Sequence, residues 1–235
     1  RFEDSSFFAS PYAAGHDPEL MVRDDGDGFQ VHVSGVTSDG LVSYSLGGQG
    51  AFSDASDVTG TGSSEPPGVV AQTLSGEIVV ADSGQDGFSV FEMTDDGRLV
   101  NERTVPDTDT THAAQVGDMA AVRIGDSDVL VVASQSEYGV TAYNLDGAAP
   151  RPGSSVGPAD GLGIMVPTDV ETAEIGGQHY VIVASNPANG ESGALSVMRV
   201  DASGALSPTD HVLDTRESRF GNVQEVEVVA ADGHV

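Results

Sequence analysis

The chain has 235 residues, with 37 Asp and Glu against nine Lys and Arg, so its formal net charge at pH 7 is −28. A charge of this sign and size repels nucleic acids and anionic membrane surfaces, which excludes both as expected partners. The chain has no cysteine, which excludes disulfides and thiolate metal sites. No stretch approaches the ~20 consecutive apolar residues of a transmembrane helix.

A pattern of four short strands, A to D, repeats along the chain and organises everything after residue 18. Residues 1–18 show no clear period and are interpreted as an arm or as the remnant of a preceding unit. The units are then 19–64, 65–112, 113–163 and 164–220, and residues 221–235 begin a fifth. In the third unit we predict strands at 119–124, 129–133, 140–145 and 154–156. In the fourth we predict them at 170–175, 179–184, 194–200 and 205–213.

The composition of the strands and turns favours an all-β fold. Strand B of each unit is a nearly continuous Val/Ile run, which indicates burial on both faces. The turns are rich in DG, GG and SG pairs, which suit tight hairpins. A glycine precedes strand C in every unit, at positions 40, 87, 139 and 193, with spacings of 47, 52 and 54 by subtraction.

Four antiparallel strands repeating at this period are typical of a β-propeller blade. The alternative is a β-sandwich, which rarely repeats in sequence. We predict about four blades plus the start of a fifth, and the broken fifth unit favours part of a larger ring. The open blade edges also predict self-association, because an unpaired strand edge can bind another strand.

Acidic residues recur at the start of strand A, where they would converge on the channel of a propeller. They are Glu19, Asp118, Asp169 and Glu225, and Gly68 interrupts the series. Converging carboxylates repel one another unless they share a proton or a cation. The hypothesis is a divalent metal at the channel mouth, namely Ca²⁺, which takes oxygen ligands. The alternative is that these side chains cap backbone amides or face water in the channel.

Other candidate groups have weaker support from the sequence. The Asp-rich stretch 24–28 occupies the place of an A–B hairpin and lacks the ~12-residue loop of an EF-hand. His16, Glu65 and His112 lie in D–A connections and are weak candidates for a catalytic role, whereas His32, His179 and His234 lie in or beside strand B and are interpreted as structural. The chain contains no GxSxG, HExxH or phosphate-binding glycine motif. The B–C loops differ in length and are the expected place for binding specificity.

Two segments resemble the repeats of lactonase-like propellers: residues 78–98 (IVVADSGQDGFSVFEMTDDGR) and 181–206 (VIVASNPANGESGALSVMRVDASGAL). Residues 220–235 and 177–185 resemble more closely the units in the propeller regions of secreted bacterial hemolysin-type (RTX) calcium-binding proteins. The resemblance covers about residues 19–235. It implies a secreted or cell-surface propeller associated with calcium, although the glycine-rich nonapeptides that often follow such propellers are absent from the chain.

These observations lead to three functional hypotheses. The first is an extracellular binding scaffold with a protein or carbohydrate partner and no catalytic motif. The second is a lactonase-type, metal-dependent hydrolase whose site lies in the propeller channel. The third is a structural subunit of an extracellular assembly.

Overall fold

The computed structural model describes residues 20–24, 29–33, 42–46, 56–57, 67–82, 85–94, 99–186, 192–218 and 220–229. Within these residues the chain is all-β, with sixteen strands in four antiparallel sheets of four strands each. Each sheet is built from four strands that are consecutive in the chain. The predicted propeller fold of four-stranded blades is therefore confirmed.

The strands follow the predicted A-to-D order in every blade. Blade 1 contains β1 (Leu20–Asp24), β2 (Phe29–Val33), β3 (Val42–Leu46) and β4 (Ser56–Asp57). Blade 2 contains β5 (Pro67–Gln72), β6 (Ile78–Asp82), β7 (Phe88–Met93) and β8 (Leu99–Val105). Blade 3 contains β9 (Val116–Ile124), β10 (Ser127–Ser134), β11 (Gly139–Asn144) and β12 (Arg151–Val156). Blade 4 contains β13 (Val166–Ile175), β14 (Gln178–Asn186), β15 (Ala194–Val200) and β16 (Leu206–Leu213).

The predicted starts of strand A in blades 3 and 4 were wrong. Strand β9 begins at Val116 rather than Met119, and β13 begins at Val166 rather than Val170. Both strands continue past an irregularity in register, which lies beside Ala133 in the β9–β10 pair and between Pro167 and Asp169 in the β13–β14 pair. The alternation of apolar and polar residues breaks at these bulges. Strand bounds read from alternation alone therefore stop there.

The middle strand of blade 3 shows how neighbouring blades share a core. Residues 129–133 of β10 are completely buried. Val129, Val131 and Ala133 pack in a cluster with blade 4, whereas Leu130 and Val132 pack in a second cluster with blade 2. Successive residues of a strand point to opposite faces, so one apolar run fills both interfaces. This confirms the predicted burial of strand B on both faces.

The recurrent glycine before strand C has a steric explanation. A segment that connects two blades crosses directly over it. A Cβ on Gly139 would meet the His112 ring at 2.5 Å, and one on Gly193 would meet the Phe220 carbonyl oxygen at 2.5 Å. Neither distance leaves room for a methyl group, so only glycine fits at these crossings.

Residues 220–229, in the predicted fifth unit, lie beside blade 4. The Val223 carbonyl oxygen accepts hydrogen bonds from Thr168 Oγ1, at 3.0 Å, and from the Asn186 amide. No described strand pairs with this segment. The predicted self-association through such an edge stays a prediction. No helix in the described ranges is long and apolar enough to cross a membrane.

Candidate functional site: the acidic channel and an interblade groove

The first strands of blades 2, 3 and 4 lie side by side and enclose a small central cavity. Its volume is about 240 Å³. Strands β5, β9 and β13 supply its wall, which includes Val70, Gln72, Asp118, Met119, Asp169 and Glu171. The structure therefore places Asp118 and Asp169, two members of the predicted acidic ring, at one cavity.

Each of these two aspartates bonds the backbone of the next blade. Asp118 Oδ2 accepts a hydrogen bond from the Val170 N–H at 2.6 Å. Asp169 Oδ2 accepts the equivalent bond from the Val226 N–H, also at 2.6 Å. The donor in each case directly follows the acidic position of the next unit. We call this repeated contact the carboxyl clasp, and it joins successive inner segments of the propeller.

The carboxyl group of Asp118 has an unusual protonation equilibrium. Part of the residue faces the channel, but its carboxyl group is enclosed by protein, and this burial is the main cause that raises its pKa to about 8. The Val170 N–H opposes the shift, whereas the hydrogen bond and negative charge of Asp169 add to it. Asp118 is therefore mostly protonated at pH 7. The pair shares a hydrogen bond in place of two adjacent negative charges.

Further acids extend the channel site toward residues 220–229. Burial raises the pKa of Glu171, the N–H of Thr172 lowers it, and the charges of Asp169, Glu227 and Glu225 raise it again. Glu225 is exposed and lies close enough to influence Glu171, so it belongs to this acidic wall. Glu19, the remaining member of the predicted ring, lies outside the described residues.

Each carboxyl group of the Asp118–Asp169 pair already accepts a short backbone hydrogen bond. These bonds use oxygen lone pairs that a calcium ion would otherwise coordinate. Within the described ranges, no group of three or more His, Cys, Asp or Glu residues is arranged to hold a metal. The complete ring of Glu19, Asp118, Asp169 and Glu225 stays a prediction.

The other predicted candidates either lie in strands and loops of the blades or fall outside the described residues. His112 is in the β8–β9 loop, where its ring packs against Gly139 and its backbone N–H donates to Thr141 Oγ1 at 2.6 Å. His179 lies within β14. His16, Glu65 and His234 lie outside the described residues, and nothing is described of the His32 side chain.

A second cavity, which the repeat pattern did not predict, lies between blades 2 and 3 at the end of the A–B turns. This interblade groove has a volume of about 740 Å³. Its charged lining residues are Glu77, Glu92, Glu102, Arg103, Arg123, Asp126, Asp128 and Asp146. The sequence feature that could have indicated this groove is the clustering of charged residues at the A–B turns of blades 2 and 3. Such a cluster is inconspicuous in a chain with so many acidic residues.

Arg103 crosses this groove and connects the two blades. Its Nη1 donates to the carbonyl oxygens of Leu145, at 2.7 Å, and Gly147, at 3.0 Å, and its Nη2 pairs with Glu77. Burial raises the pKa of Glu77, while the charge of Arg103 opposes this shift. The two blades thus share a charge-assisted contact at the groove as well as an apolar interface.

We expect Arg103→Met to lower the free energy of unfolding by about 2–3 kcal/mol, because charge-assisted hydrogen bonds are lost and Glu77 is left without its cation. Arg199→Met is the matched control, since Arg199 is exposed and bonds Gln178 on the surface of blade 4. Arg199→Met should lower the free energy of unfolding by less than about 1 kcal/mol. Urea unfolding measures both variants, and equal losses would contradict the bridging role of Arg103.

Comparison with solved structures relates the whole arrangement to known propellers. A functionally unknown protein from Desulfotomaculum acetoxidans is 15% identical, with a TM-score of 0.55 over 82% of this chain and 54% of that one. A candidate 6-phosphogluconolactonase from Bacteroides uniformis is 12% identical, with a TM-score of 0.56 over 81% of this chain and 55% of that one. Kuenenia stuttgartiensis hydrazine synthase is 13% identical, with a TM-score of 0.56 over 83% of this chain and 48% of that one.

No protein-family model and no curated protein matches the sequence. The chain spans about half the length of the solved structures it resembles. Identities of 12–15% establish the fold alone. The predicted resemblance to lactonase-like propellers therefore holds at the level of fold, whereas the likeness to hemolysin-type proteins stays a prediction. The chain has a lactonase-like β-propeller fold.

Proposed function

We propose that this chain is a binding module, built as a propeller scaffold, rather than a hydrolase. The observation that supports the proposal is the carboxyl clasp. The two described channel aspartates accept backbone hydrogen bonds from the next blade, so their contribution is to join blades. A catalytic carboxylate would instead need an accessible oxygen directed at a substrate or at an attacking water.

The proposal includes a setting outside the cell. A net charge of −28 keeps a protein soluble where salt screens its self-repulsion, which suits an extracellular or surface environment. The proposed partner is a protein, a carbohydrate or a small ligand. The proposal also includes calcium binding by the complete acidic ring, and this part requires Glu19.

A lactonase-type hydrolase is the second candidate, favoured by one feature of the channel. Two carboxyl groups that share a proton, one with a pKa near neutrality, can serve as a general acid and base. The candidate 6-phosphogluconolactonase among the similar structures has the same fold. In this alternative the Asp118–Asp169 pair would activate a water molecule against a lactone carbonyl.

A lactone-hydrolysis assay separates the two candidates. If the chain is a binding module, hydrolysis of 6-phosphogluconolactone with and without Ca²⁺ should not exceed the rate in buffer. The variants Asp118→Asn and Asp169→Asn should give the same background rate. Hydrolysis by the unmodified chain that disappears in Asp169→Asn, with its melting temperature nearly unchanged, would overturn the proposed function.

A further inference from the structure

The face of blade 4 that points away from blade 3 carries apolar side chains that are only partly covered. Val181 and Val183 of β14 pack in the core cluster shared with blade 3. Successive residues of a strand point to opposite faces, so their neighbours point the other way. These partly exposed residues are Tyr180, Ile182, Leu195, Val197 and, on β16 opposite Leu195, Val212. We call this set the open face.

The equivalent side of blade 3 is completely buried. Ala133 of β10 and Ala184 of β14 each pair with one of the two clasp aspartates, which aligns the two strands. Two residues before these alanines stand Val131 and Ile182. Val131 is completely buried against blade 4, whereas Ile182 is half-buried. Strand β14 is thus apolar on both faces, as β10 is, but the described residues fully cover only one of them.

The inner rim of the open face continues the contact that joins blades 3 and 4. Residues 220–229 lie there and repeat the carboxyl clasp, with the Val226 N–H donating to Asp169 Oδ2 at 2.6 Å. Thr168 Oγ1 and the Asn186 amide donate to the Val223 carbonyl oxygen in the same segment. The protein therefore begins a further blade contact at this face. The occupant that matches it is another apolar sheet face, as between the blades themselves.

A second copy of this chain meets these requirements. It presents the same apolar sheet face, and identical patches related by a two-fold axis are the commonest arrangement in homo-oligomers. The face also carries both signs of charge, because Glu171 lies opposite Ile182 and Arg199 lies opposite Tyr180. Arg199 forms no ion pair with a described residue. A two-fold axis can therefore set the acid of each copy against the base of the other.

The size and charge of the chain predict a weak dimer. Four strands spaced ~4.8 Å apart and about six residues long, at ~3.3 Å per residue, span on the order of 400 Å² on each copy. The total of about 800 Å² is smaller than the ~1,200–2,000 Å² of stable complexes. Each copy also carries a net charge of −28, whose repulsion salt screens. The dimer should therefore require high protein concentration and high salt.

We propose that two copies of the chain pair through their open faces, with Val197 at the centre of the contact and Glu171 of each copy facing Arg199 of the other. This inference goes beyond the proposed binding function, and the lactone assay does not test it. Sedimentation equilibrium of the full chain does, at about 0.1 M and about 1 M salt, between which the Debye length falls from ~10 Å to ~3 Å. At the higher salt, the average mass should rise toward twice that of one chain as the protein concentration approaches about 1 mM.

Two substitutions in the open face should weaken this association. Val197→Asp should abolish it, because two carboxylates would meet at the centre of the contact. Arg199→Glu should weaken it by about fivefold or more, since repulsion replaces attraction at two symmetric charge pairs. Val100→Asp is the matched control: Val100 is 45% exposed in β8 of blade 2, away from the open face. This variant should associate as the unmodified chain does.

Three results would overturn the proposal. The first is the mass of a single chain at every concentration in about 1 M salt, the condition in which charge repulsion is screened. The second is an average mass above twice that of one chain, because two identical faces close on each other and leave none open. The third is an equal effect of Val197→Asp and Val100→Asp. Should Val197→Asp fail to fold, Arg199→Glu compared with the unmodified chain still decides.

Discussion

Replacing Gly87 with alanine should lower the free energy of unfolding by about 2–4 kcal/mol, the largest effect expected for a single added methyl group among the described glycines. Gly87 has φ +96°, a conformation that costs an L-residue energy, and its Cβ would lie 2.9 Å from Pro106 Cα and still closer to the Val105 carbonyl oxygen. Its N–H also donates to the Ala113 carbonyl oxygen at 2.8 Å. The substitution therefore forces the segment that leads into blade 3 away from blade 2.

Gly76→Ala is the matched control for this prediction. Gly76 has nearly the same backbone angle, φ +98°, but a Cβ there would have no atom within 4 Å. Gly76→Ala should lower the free energy of unfolding by about 1–2 kcal/mol, because it introduces backbone strain without crowding. Urea unfolding of both variants separates strain from crowding. If the two losses are equal, the steric account of the recurrent glycine is wrong.

The stability of the protein should fall as the pH rises from about 4 to about 8. The pKa of Asp118 is raised to about 8 in the folded chain, whereas an unfolded aspartate titrates near ~3.9. Between these values the folded state holds a proton that the unfolded state has lost, so the stabilisation is complete below the lower value and is lost as the pH rises. For one proton the slope is at most about 1.4 kcal/mol per pH unit.

Asp118→Asn isolates this contribution from those of the other acids. The asparagine side chain can still accept the Val170 N–H and donate to Asp169, and it carries no ionisable proton. We expect the variant to match the unmodified chain near pH 4 and to be more stable than it at pH 8. Thermal unfolding across this range measures the difference. Parallel curves for the two proteins would show that Asp118 does not titrate in this window.

Local patterns were sufficient to predict the blades. The apolar run of residues 129–133 and the glycine at 139 are short-range features, and each strand pairs with its neighbour in the chain. The predicted bounds of strand C in blade 4, at 194–200, agree with the structure. Starts of strand A were missed because bulges interrupt the alternation beside Asp118 and Asp169.

The sites depend on contacts between residues far apart in the chain, which explains why less of them was predicted. Superposing the repeats brought Asp118 and Asp169 to one channel, but it could not decide between a metal, a proton and a backbone amide as their partner. That choice depends on the Val170 and Val226 N–H groups in the next inner segment. The groove was missed because Arg103 reaches Leu145 and Gly147 across an interface between blades.

We conclude that Asp118 joins blades as a protonated partner of Asp169 and is not a free channel carboxylate. Carbon-13 NMR of aspartate carboxyl groups tests it directly, with the Asp118 signal assigned by its absence from the Asp118→Asn spectrum. We expect this signal to titrate near pH 8. A titration near pH 4 would contradict it, because Asp118 would then be ionised at neutral pH and available to a metal ion or a substrate.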